Sequence, residues 1–127
     1  MLQTQTKGLF TLSLVGTVLL VLILGCSGGS VVEDACVGTV NYQGKTFEGK
    51  AKDADEAKRN ACNMYCREAD PEYETRYGIW LDSPKGKAAG SPSKQEAIFK
   101  DKDLMNYVTV TCANKCVAEM KPEATCK

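Results

Sequence analysis

The sequence contains no histidine, which removes the commonest general base, the commonest metal ligand and every histidine-containing catalytic triad. It has no charge imbalance either: Lys and Arg number 16, Asp and Glu number 16, and the net charge is +0. Lys7 is the only charged residue before Cys26, so loss of that segment would leave the remainder close to neutral. A neutral chain offers no electrostatic case for nucleic acid or for a strongly anionic surface. No glycine-rich phosphate loop precedes a helix, and the zinc-protease and haem-attachment motifs are missing. Neither a cofactor nor a metal is called for, and no catalytic residue is assigned.

What is present begins with an uncharged run, Gly8 to Gly25, dominated by Leu, Val and Ile. It closes on Ile23-Leu24-Gly25-Cys26, followed by Ser27-Gly28-Gly29-Ser30. This segment resembles the lipobox of bacterial lipoprotein signal peptides, in which a small residue precedes the acylated cysteine. The resemblance implies cleavage after Gly25 and a lipid on Cys26. The expected organisation is a signal peptide over 1–25, a lipidated tether over 26–34 and a folded domain over 35–127. Ser27, directly after Cys26, is similar to lipoproteins sorted to the outer membrane. Acyl chains at about 0.8 kcal/mol per buried methylene would hold the domain on a membrane. The competing reading is an uncleaved membrane anchor, since a span needs roughly 17–25 apolar residues.

Of seven cysteines, Cys26 has that separate task, and Cys36, Cys62, Cys66, Cys112, Cys116 and Cys126 remain. An even remainder in an exported domain reads as three disulfides. Cys62–Cys66 lies in a strongly helical stretch, and Cys112–Cys116 repeats its spacing. On a helix, residues four apart share a face, so each pair presents two sulfurs together. If the two elements run antiparallel, Cys62 pairs with Cys116 and Cys66 with Cys112, leaving Cys36 for Cys126. If Cys112 instead ends a strand, the pairing of those four stays open. The twin Cys-x3-Cys motif resembles the helical hairpins of small mitochondrial chaperones in the motif alone, and no function is carried over. A redox-active pair, a copper site like that of certain periplasmic chaperones, or a cysteine-only zinc site are the alternatives. The copper proteins also use a histidine that this chain lacks, and zinc usually takes Cys-x2-Cys.

Taken in order, 36–42 and 45–50 alternate about Gln43-Gly44 and predict a β-hairpin. Gly38 and Gly49 weaken those strands, so the hairpin must lean on a helix. That helix starts at Asp53, with Glu56 three residues on, and runs to about Glu68. Strand–strand–helix is similar in order to part of a double-stranded-RNA-binding domain, but an exported, neutral domain meets no RNA. Asp70-Pro71 restarts the chain as N-cap and first helical residue. Tyr73, Tyr77 and Trp80 then recur at helical spacing, either packed on the first helix or displayed as an aromatic platform for a partner. Residues 82–93 read as an irregular exposed loop, made basic by Lys85, Lys87 and the adjoining Lys94. Ser91-Pro92-Ser93-Lys94 matches the Ser-x-x-Lys of penicillin-binding enzymes, but without the companion motifs the match is attributed to chance. Ser93 with Glu96 caps a short helix.

Residues 106–112 are rich in β-branched side chains. Local propensity predicts a third strand there, while the following Cys-x3-Cys favours a helix over 104–120; propensity is followed. The expectation is therefore an α+β, disulfide-stabilised domain whose N-terminal hairpin packs on helices, with a third strand near 106–112. Its expected role is a lipid-anchored, non-catalytic binding or assembly module at a bacterial envelope, contacting an envelope protein or a glycan. The alternative role is thiol–disulfide or metal handling through a Cys-x3-Cys pair.

Overall fold

The computed structural model describes residues 35–127; the lipobox, Cys26 and the tether lie outside the described residues. The fold is α+β, with a three-stranded antiparallel sheet on one side of a helical layer and three disulfides. Strands β1 (Cys36–Tyr42) and β2 (Lys45–Ala51) form the hairpin, with Tyr42 opposite Lys45. Gln43 and Gly44 both take positive φ, 49° and 78°, which a two-residue type I′ turn requires.

The hairpin rests on α1 (Ala54–Glu68), capped by Asp53, whose carboxylate accepts from the Glu56 amide at 2.9 Å. Gly38 and Gly49 sit opposite each other at this contact. A Cβ on Gly38 would fall 2.2 Å from the Ala57 carbonyl oxygen, and one on Gly49 2.1 Å from the Ala61 amide nitrogen. Two glycines therefore meet two fully buried alanines, and sheet and helix touch backbone to backbone. What weakens the isolated strands is what lets them dock.

Asp70 caps α2 (Pro71–Asp82), and Pro71 opens it as expected. Residues 82–93 are not a wholly irregular loop: Ser83 caps a short helix, α3 (Pro84–Ala88), through the Gly86 amide. Proline is tolerated in the first turn of a helix, where its missing N–H costs nothing. Ser93 and Glu96 form a complete capping box on α4 (Lys94–Lys100).

The third strand near 106–112 is not formed. Helix α5 (Lys102–Asn106), a π-helical stretch (Tyr107–Cys112) and α6 (Ala113–Met120) follow one another without leaving helical dihedrals. Tertiary bonding overrides β-propensity here: Cys112 and Cys116 must share a face to reach Cys66 and Cys62. Residues four apart advance around an ordinary helix, because a turn takes only 3.6 residues. The wider π turn cancels part of that drift. It keeps Leu104, Val108, Cys112 and Cys116 buried along one stripe.

The third strand is instead β3 (Glu123–Cys126), on the free edge of β1, in the sheet order β2-β1-β3. Lys121, in the left-handed conformation at φ 49°, ends α6 and turns the chain toward it. The register sets Cys126 opposite Cys36, and those two are bonded.

Candidate functional site

The cysteine bridges define one wall of the site. Cys62–Cys116 and Cys66–Cys112 join α1 to the long C-terminal helix at Cα separations of 5.7 and 5.9 Å. All four residues are buried, and Cys36–Cys126 ties the first strand to the last. The two Cys-x3-Cys segments are thus antiparallel helices stitched at two levels.

Beside this double bridge lies an open-sided cleft of about 380 Å³. Tyr42, from the end of β1, and Tyr65, from α1, line it as an edge-to-face pair with centroids 5.0 Å apart. Cys112, Cys116 and Met120 add sulfur-bearing, apolar surface. Asp70, Pro71 and Glu72 enter from the start of α2, and Lys115 and Glu119, four residues apart, from α6. Three carboxylates and one ammonium therefore stand among aromatic rings and sulfur.

The acidic groups are held differently. The Asp70 Oδ2 atom accepts from the Tyr73 amide and from the Tyr107 hydroxyl, each at 2.8 Å. Glu72 pairs with Arg76 at 2.8 Å, and the Arg76 guanidinium lies 4.4 Å from the centre of the Tyr107 ring. The Arg76 hydrogen bond holds the Glu72 carboxyl below its ordinary range, helped by the charges of Arg76 and Lys115. Among the described residues, Glu119 makes no side-chain hydrogen bond or ion pair. Burial raises the Tyr65 phenol, and the negative charges of Asp70 and Glu119 raise it further. Burial and the bond to Asp70 push Tyr107 strongly upward.

Of the two expectations for Tyr73, Tyr77 and Trp80, packed or displayed, the structure follows the packed one, and they form no exposed platform. Tyr73 and Trp80 are 1% and 8% exposed, and Tyr77 is half-buried. Each uses its polar atom to hold the segment that follows α3. Tyr73 donates to the Lys94 carbonyl at 2.6 Å, Tyr77 to the Pro92 carbonyl at 2.8 Å, and the Trp80 indole to Asp101 Oδ2 at 3.1 Å. Tyr73 also stacks on Tyr107, with planes inclined by 9°. Their common helical face was correctly read from the spacing; what covers it is α4 and α5 as well as the core around α1. Lys85 approaches Asp101 and Lys94 pairs with Glu74, so two lysines of the basic segment have acidic neighbours.

Sequence reasoning passed over Tyr42, Lys115 and Glu119 as site residues. The one local signal was the Lys115–Glu119 spacing, which becomes meaningful only once 113–120 is helical. The chain matches no family model, no curated protein and no solved structure.

Proposed function

We propose that this chain is a lipid-anchored binding module of a bacterial envelope, held to the membrane through Cys26 and binding its partner in the cleft beside the double bridge. The anchor rests on the lipobox resemblance of residues 23–26. The binding role rests chiefly on one observation: aromatic, sulfur-bearing and charged side chains from β1, α1, α2 and α6 converge on a single concavity. That wall is fixed by two buried disulfides, so the cleft is pre-organised and loses little conformational freedom on binding. The burial of Cys62, Cys66, Cys112 and Cys116 supports this reading over the thiol–disulfide alternative, which needs an accessible, activated thiolate.

Fractionation and site-specific cross-linking test both halves. Cys26→Ser should release the chain from the membrane fraction. A photo-activated residue in place of Met120 should give a discrete adduct in intact cells. The same probe at Lys52, which does not line the cleft, should give none. Membrane retention of Cys26→Ser contradicts the anchor, and identical labelling at the two positions contradicts the binding cleft.

A further inference from the structure

Building on that binding reading, we propose that the cleft takes a primary alkylammonium group, seated against the Tyr42–Tyr65 pair between the Asp70 and Glu119 carboxylates. The volume of about 380 Å³ suits an alkylamine stem, near the lower end of the usual range of ligand sites. Aromatic rings attract cations and also pack on methylene groups, so Tyr42 and Tyr65 serve both ends of such a ligand. Met120, which is partly exposed, supplies further apolar surface for the stem.

Charge selects the sign of the ligand. Both donors to Asp70 reach its Oδ2 atom, and among the described residues neither Asp70 Oδ1 nor the Glu119 carboxylate accepts a hydrogen bond. Glu72 is already engaged by Arg76. With Glu72 opposed by Arg76, the remaining charges of the lining are the Asp70 and Glu119 carboxylates against the single Lys115 ammonium, an excess of negative charge. An anion entering there meets repulsion, and a neutral guest forgoes the attraction.

A lysine side chain in a polypeptide and a free polyamine share this chemistry. Both can be tested on the full, lipidated chain in detergent micelles with methyl-labelled methionine. Met120 lines the cleft and reports on it; Met105 lies outside it and serves as control. Cadaverine and Nα-acetyl-lysine amide should each shift the Met120 methyl signal to saturation while Met105 stays still, and 1-pentanol should not. Tighter binding of cadaverine assigns a free polyamine; tighter binding of the acetyl-lysine amide assigns a lysine in a polypeptide; equal affinities assign the ammonium common to both. Glu119→Gln, an exposed change that leaves the fold intact, should weaken either amine by about fivefold. Unchanged affinity in that variant overturns the proposal. Equal response to 1-pentanol overturns the cationic assignment and leaves the binding cleft standing. Silence of Met120 toward all three probes, up to about 20 mM, overturns the ammonium assignment, and the cross-link at Met120 then decides the binding reading by itself.

Discussion

The Tyr107 hydroxyl donates to the Asp70 carboxylate at 2.8 Å across 37 residues of sequence. The same carboxylate oxygen caps α2 through the Tyr73 amide. One acceptor thus starts a helix and fixes the π-helical stretch against it, while the Tyr73 and Tyr107 rings lie nearly parallel with centroids 6.4 Å apart.

Replacing Tyr107 with Phe keeps the ring and removes only the donor. A hydrogen bond to a charged acceptor contributes about 1.5–3 kcal/mol, and a loss in that range is expected for Tyr107→Phe. Urea unfolding measures it. A change within about 0.5 kcal/mol of zero would place the bond among those that solvent replaces freely.

Alkaline pH should act on the same region. Burial raises Tyr73 to about 12, and burial with the Asp70 contact raises Tyr107 further. In the unfolded chain these phenols ionise near 10. Above that value the unfolded state sheds protons that the folded state retains, which favours unfolding. The stabilisation is therefore fully present below pH 10 and is lost as pH rises through the folded values. Unfolding midpoints followed alongside phenolate absorbance should fall over about pH 10–12. Tyrosines that all titrate near 10 in the folded protein contradict this.

Gly38 and Gly49 should resist substitution for a reason unrelated to turns. A Cβ at either position overlaps backbone atoms of α1, which no rotamer change relieves. Gly38→Ala and Gly49→Ala should each cost about 1–3 kcal/mol or more, as over-packing does. Gly78→Ala, with open space around its Cβ and helical surroundings, is the control and should be neutral or slightly stabilising. Equal effects at the three positions would contradict the close docking of hairpin and helix.

The hairpin, the α2 start and the α4 cap were legible because their signals are local. Gln43-Gly44 dictates a turn, Asp70-Pro71 a cap, and Ser93 with Glu96 a capping box, whatever the rest of the chain does. Residues 107–112 were misread for the converse reason. Their β-branched side chains favour a strand locally, and only the bonds of Cys112 and Cys116 to another helix impose helical geometry. The aromatic face of α2 was visible as a period, but a period does not report which element covers it. The cleft was invisible until that last helix had formed, since Lys115 and Glu119 meet Tyr42 and Tyr65 only through it.

Trp80 should prove structural. Trp80→Ala should cost about 3–5 kcal/mol, the range for emptying a buried aromatic site, and should also remove the indole donor from Asp101 Oδ2. At temperatures where the variant remains folded, amine binding to the cleft should persist, because Trp80 does not line it. A variant of wild-type stability that loses binding contradicts this and restores the aromatic face as a contact surface.

The most direct measurement is the intact mass and non-reduced peptide map of the protein extracted from membranes. The expected result is a mature chain beginning at a diacylglyceryl-modified Cys26, with peptides joined as Cys36–Cys126, Cys62–Cys116 and Cys66–Cys112 and no free thiol. An unmodified Cys26 on an uncleaved chain, or a free thiol in either Cys-x3-Cys pair, would contradict the anchored and doubly stapled module.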